Sequence, residues 1–138
     1  MRSIVVDSGP LIALFDGSDR FHAQAVALIR HLPGRLVTNL PVITEVMYML
    51  DFSARAQHDF LRWVERAASI DTATADDLPR IRAVLEQYQD LPADFADASL
   101  VVLCERLKTL DVASVDKDFT IYRANGNQAF NNLFQSST

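Results

Sequence analysis

Cysteine, glycine and long apolar runs are scarce in this chain of 138 residues, and each shortage removes a class of protein. The single cysteine, Cys104, excludes an intramolecular disulfide and leaves a thiolate metal site without ligands. A reduced, cytoplasmic setting is therefore expected. With only 4 glycines, the chain holds neither a phosphate-cradling loop nor a glycine-rich dinucleotide motif. No apolar run is long enough to cross a membrane, and Met1–Arg2 leads into an expected strand without a signal peptide. Repeats, low-complexity tracts and linkers are absent as well. Positive charge is short too: 18 acids against 13 bases give a net charge of −5, which at face value argues against a nucleic-acid partner.

What is present is apolar and ordered. A hydrophobic fraction of 49% excludes disorder, and the length suits one domain, residues 1–138, with Ser136–Thr138 as a polar, flexible tail. Ile4, Val5 and Val6 form a β-branched run that fits a strand buried on both faces of a parallel sheet. The run ends in Asp7. Ser8-Gly9-Pro10 reads as a turn, followed by a helix beginning at Leu11.

Helical spacing of Phe21, Ala25, Leu28, Ile29 and Leu32 predicts a helix over Arg20–Leu32, capped by Ser18 or Asp19. Leu36–Thr38 reads as a strand. Pro41 suits the first position of a helix over Val42–Leu50, with Asn39 or Leu40 just outside it. Ser53 caps a helix over Ala54–Ala68 with Phe60, Leu61, Val64 and Ala68 inward. Ser69–Asp71 is a third candidate strand. A helix from Thr72 or Thr74 places Asp76 and Asp77 in its first turn and Leu78, Ile81, Leu85 and Tyr88 on its inner stripe. A last helix covers Asp94–Lys108, then Val112–Val115 forms a strand before Asp116, and Phe119–Arg123 is a possible final strand. Short apolar strands alternating with helices imply an α/β domain with a mostly parallel sheet.

The acids follow this order closely. Asp7 and Asp116 each follow an apolar strand, and in a parallel sheet those strand tips share one edge. Asp94 and Asp97 lie three apart at a helix start, so they share a face. Glu45 is the one acid of an otherwise apolar helix, and Asp118 lies two residues beyond Asp116. Without these six acids, the remaining 12 face 13 bases, so the excess of negative charge is concentrated where the six converge. Oxygen ligands without His or Cys describe a site for Mg²⁺ or Mn²⁺ rather than zinc. One or two such ions would offset the mutual repulsion and leave positions for water and a phosphate oxygen, as phosphodiester hydrolysis requires. Taken singly, Asp94 also reads as a helix N-cap and Asp118 as a loop acid. His22, His31 and His58 show no catalytic pattern, and Tyr48, Phe60 and Trp63 read as core or dimer contacts.

Asp7-Ser8, Thr44-Glu45-Val46, Asp94-Phe95-Ala96-Asp97-Ala98-Ser99-Leu100 and Ser114-Val115-Asp116-Lys117-Asp118-Phe119 together resemble the PIN domain. Within it they look most like the VapC-type ribonuclease toxins of toxin–antitoxin pairs. The resemblance spans essentially the whole chain. It implies a three-layer α/β/α fold and a Mg²⁺- or Mn²⁺-dependent endoribonuclease with Asp7, Glu45, Asp97 and Asp116 as core metal-binding and catalytic acids. Asp94 and Asp118 match secondary metal positions, and Ser8 matches a small hydroxyl residue that positions substrate or water. It further implies an RNA substrate, a cognate antitoxin and a homodimer.

Arg55, His58, Arg62 and Arg66 share one helix face, and the arginines are candidates for RNA or antitoxin contact. That face also reads as simply solvated, since Asp59 and Glu65 interrupt it. Two other readings are weaker. A phosphoacceptor domain would need an early acid pair and a mid-chain Asp on a strand. A single-domain phosphatase of the kind that carries Asp-x-Asp would need a second Asp two residues after Asp7. A catalytically inactive module binding RNA or a protein is the remaining alternative, and nothing structural requires four such acids in it.

Overall fold

The computed structural model describes residues 2–134. The expected tail at Ser136–Thr138 lies outside the described residues. The elements run β1 (Ser3–Val6), α1 (Ser8–Phe15), α2 (His22–Arg30), β2 (Arg35–Asn39), α3 (Leu40–Met49), α4 (Ala54–Ala67), β3 (Ser69–Asp71), α5 (Leu78–Gln87), α6 (Phe95–Leu107) and β4 (Asp111–Ala113). A 3-10 turn (Lys117–Thr120) and three short strands follow: β5 (Arg123–Ala124), β6 (Gln128–Ala129) and β7 (Asn131–Asn132).

The main sheet has the order β3-β2-β1-β4-β7, and every pairing in it is parallel. β5 and β6 form a separate antiparallel pair. Successive side chains of a strand point to opposite faces. Ile4, Val5 and Val6 are all 0% exposed, so both faces of central β1 are covered by helices, giving the α/β/α layering. Leu36 and Val37 of β2 and Val112 and Ala113 of β4 extend the same buried layer.

Several boundaries differ from the sequence expectation, each for a local reason. Ser8-Gly9-Pro10 is the first turn of α1, because the Asp7 carboxylate accepts a hydrogen bond from Ser8 N at 2.7 Å and caps it. Pro10 is tolerated there because amides of a first turn lack intrahelical acceptors anyway. α2 begins at His22 without a side-chain cap; the Asp19 carboxylate instead accepts from Phe21 N. α5 begins at Leu78, with Pro79 in its first turn. Leu78 and Leu61 are exposed, while Val84 takes the inner position beside Ile81.

Near the C-terminal end, β4 stops at Ala113, two residues early. Phe119–Arg123 is not a strand, because the Asp116 side chain accepts from Asp118 N at 2.9 Å and starts the 3-10 turn. The strand neighbouring β4 is β7 instead. Phe60 is core as expected, and Trp63 is half-buried against Phe15, but Tyr48 is 73% exposed. The His22 ring is also tied inward, bonding Ala13 O through Nδ1 at 2.8 Å.

Candidate active site

The site begins where β1 and β4 end. Asp7 N donates to Ala113 O at 2.9 Å, so the two strands stay paired to their tips and the segment after Ala113 runs past the Asp7 carboxylate. Ser114 Oγ donates to Asp7 Oδ2 at 2.8 Å and accepts from Asp116 N at 2.9 Å. One buried hydroxyl therefore sets Asp7 against Asp116. Gly9 allows the close approach on the other side: a Cβ there would stand 2.2 Å from Val115 Cγ2.

Glu45 reaches the site from α3, which packs beside α1. Ser8 Oγ donates to Glu45 Oε1, so the hydroxyl next to Asp7 holds the second acid. Asp97 arrives from the first turn of α6. Its amide donates to Asp94 Oδ1 at 2.8 Å, which makes Asp94 the helix N-cap, as its position predicts. Tyr122 OH donates to Asp97 Oδ2 at 3.3 Å. Asp118 is half-buried in the 3-10 turn that Asp116 caps.

Asn39 and Ser99 align α3 with α6. Asn39 Oδ1 accepts from Val42 N, its Nδ2 donates to Ser99 Oγ at 2.9 Å, and Ser99 Oγ donates to Ala96 O. An open groove of about 740 Å³ lies alongside, with Glu45, Asp94, Tyr48 and Phe95 among its walls.

The electrostatics reflect the convergence. Burial is the main cause that pushes Asp7 up to about 6, with Glu45 and Asp116 adding to it against the hydrogen bonds from Ser114 and Ser8 N. Asp97 is pushed up to about 9, first by burial, then by the charges of Asp7 and Asp94 and by the neighbouring Asp116 carboxyl. Asp7 and Asp97 are 4% and 8% exposed. No basic side chain among the described residues forms an ion pair with them; the pairs lie elsewhere, at Arg2–Asp111, Arg55–Asp59, Arg80–Glu105 and Arg106 with Asp71 and Asp77. Buried carboxylates without a cationic partner are costly, and the chain concentrates several of them at one sheet edge.

The structure thus brings Asp7, Glu45, Asp97 and Asp116 together, with Ser8 and Asp94 touching them. Asp118 borders the cluster through Asp116. It does not bring Arg55, Arg62 or Arg66 into contact with these acids. Arg55 faces Asp59 at 3.8 Å, and Arg62 and Arg66 flank Trp63 along a separate groove on α4. Sequence reasoning missed Tyr122 and Asn39. Asn39 was visible only as a residue just outside α3, and the cross-element partners of the two, 25 and 60 positions away, leave no local signal. Ser114 was visible only as part of a motif.

A model of the PIN domain matches residues 4–125. Ribonuclease VapC26 of Mycobacterium tuberculosis is 26% identical over 117 residues, covering 83% of this chain and 87% of that protein. The crystal structure of Mycobacterium tuberculosis VapC20, a sarcin–ricin loop cleaving toxin, superposes with a TM-score of 0.77 at 22% identity, covering 86% of this chain and 93% of that one. The family model takes in the strand that ends at Asp7, the helices bearing Glu45 and Asp97, and the segment of Asp116, so the chain that builds this acidic sheet edge belongs to the PIN domain family.

Proposed function

We propose that this protein is a metal-dependent endoribonuclease, the toxin of a toxin–antitoxin pair. The observation that carries the reading is the convergence of Asp7, Glu45, Asp97 and Asp116 with no ion-pair partner among the described residues. The donor set fits a hard divalent cation, Mg²⁺ or Mn²⁺, because every candidate ligand atom is a carboxylate oxygen. Among the described residues no three acids already form a ligand set; hydrogen bonds from Ser8, Ser114 and Tyr122 occupy oxygens of Asp7, Glu45 and Asp97. A cation would offset the burial and the mutual repulsion that raise both Asp7 and Asp97.

In this reading Asp7, Asp97, Asp116 and Glu45 hold one or two ions, and Asp94 and Asp118 serve as outer ligands. Once bound, the metal supplies the positive charge that a phosphodiester needs at its oxygens during hydrolysis. Ser8 orients Glu45 and the water that enters beside it. Ser114 keeps Asp7 and Asp116 at a fixed separation. Likeness to VapC26, a ribonuclease, and to VapC20, a toxin that cleaves the sarcin–ricin loop, supports RNA as substrate and a toxin role.

Several finer features belong to the same proposal. The arginines of α4 offer cationic contacts to RNA or to an acidic antitoxin segment. Leu40, Tyr48, Met49 and Phe52 expose an apolar stretch on and just after α3, which supports a homodimer. Action in the cytoplasm belongs to the same proposal; no helix among the described residues is long and apolar enough to cross a membrane, and Cys104 is a buried free thiol.

The test is cleavage of a mixed RNA substrate with Mg²⁺ or Mn²⁺ and with EDTA, beside an Asp97→Asn variant purified identically. Metal-dependent cutting that falls at least about 100-fold in the variant is the expected result. Equal cutting by both proteins would assign the activity to a contaminant. No cutting together with no Mn²⁺ binding would overturn the reading.

A further inference from the structure

We infer that Tyr122 is a positioning residue of the carboxylate site, its hydroxyl fixing one oxygen of Asp97 so that the carboxyl of α6 is held to the chain segment bearing Asp116. The inference rests on the reading of Asp97 as a metal ligand.

Tyr122 is 0% exposed and fixed from two directions. Its ring stands edge-on to Tyr88 and to Phe119, with centroids 5.1 Å away in both cases. Its backbone N–H donates to Asp118 O at 3.0 Å, anchoring it to the 3-10 turn that Asp116 caps. A ring packed this way cannot swing without opening the core around it. Phenylalanine would satisfy all of that packing, so the hydroxyl needs its own explanation. A buried hydroxyl requires a partner, and Asp97 Oδ2 is the acceptor. Turning the Asp97 carboxyl away would orphan that donor.

The arrangement repeats at Asp7, where Ser114 Oγ holds Oδ2. Residues 114–122 therefore carry Asp116 and Asp118 and also give a buried hydroxyl to each of two other acids, Asp7 and Asp97. Ser114 Oγ and Ser8 N together engage both oxygens of Asp7, and Tyr122 engages Oδ2 of Asp97, so each carboxyl is oriented by the protein before any ligand arrives. Partners of this kind behind metal ligands commonly govern affinity while leaving the fold intact.

The experiment compares wild type, Tyr122→Phe and Tyr88→Phe by Mn²⁺ titration calorimetry, with a metal-free melting temperature for each. Tyr88 serves as control because it packs on the same ring, but its hydroxyl accepts from Arg123 N instead. The expected result is about tenfold weaker Mn²⁺ binding in Tyr122→Phe, with an essentially unchanged metal-free melting temperature, and wild-type affinity in Tyr88→Phe. Wild-type Mn²⁺ affinity in Tyr122→Phe would overturn the inference and leave the metal site standing. Failure of the wild type to bind Mn²⁺ would overturn the metal reading and this role with it. Should Tyr122→Phe not fold, the near-ultraviolet spectrum of the wild type decides. Mg²⁺ should perturb a tyrosine band, and the change should persist in Tyr48→Phe and Tyr88→Phe; an unperturbed spectrum overturns the inference.

Discussion

Burial and mutual repulsion hold the carboxyls of Asp7 and Asp97 at about 6 and about 9, against an ordinary value of 3.8. Between its unfolded and folded values each group binds more protons in the native state than in the unfolded chain, so its contribution makes stability fall as pH rises. For Asp7 the loss runs from about pH 4 to about 6, and for Asp97 it continues to about 9. Asp71, held low first by its hydrogen bond from Arg106, and Asp111, held low first by that from Arg2, contribute in the opposite sense. Their stability is lost only as pH falls through their folded values, below the usual carboxylate range, so they do not mask the trend. The melting temperature in EDTA should therefore decline between about pH 5 and 8, and saturating Mg²⁺ should flatten the decline by neutralising the same carboxylates. Asp97→Asn should also flatten it without metal. A level profile for the wild type in EDTA would contradict the raised values.

Among the elements, the junction of α1 with the segment after β4 controls how close the acids come. Strand pairing runs to Asp7 N and Ala113 O, and from there the chain relies on a glycine for contact. In Gly9→Ala the new methyl would meet the stiff, β-branched Val115, so the first turn of α1 must shift away from Ser114 and Asp116. The expected cost is about 1–3 kcal/mol in denaturant unfolding, together with weaker Mn²⁺ binding. Gly9→Ala with Val115→Ala should recover much of both, because the two sites share one contact and cannot be additive. Full additivity in that cycle would show that the clash does not govern the junction. The same junction shows why boundaries eluded sequence reasoning. Asp7 and Asp116 were legible as acids following strands. Their second role as caps, which makes Ser8-Gly9-Pro10 helical and turns Lys117–Thr120 into a 3-10 turn, depends on hydrogen bonds that composition alone does not signal.

For the whole molecule, the parallel sheet gathers residues from four separate stretches at one edge, while an apolar face is left on α3. Tyr48 and Phe52, 73% and 64% exposed, stand outside the core and can be changed without cavity formation. In the proposed homodimer, Tyr48→Asp with Phe52→Asp should leave only monomer by light scattering, with a cooperative melting transition retained. An unchanged mass would remove this face as the dimer contact.

The α/β class, the parallel sheet and the identity of the clustered acids were readable from the linear chain, because they depend on local periodicity and on acids placed after buried strands. A β-branched run ending in Asp and an apolar helix interrupted by one Glu conflict with simple burial, and that conflict is visible without coordinates. Tertiary structure alone decided how the acids are held. The hydroxyls of Ser114 and Tyr122 and the amide of Asn39 act on partners 107, 25 and 60 positions away. Such pairings are selected by the packing of β4, α3 and α6 around β1, where buried polar groups must find partners across elements, and no local pattern encodes them.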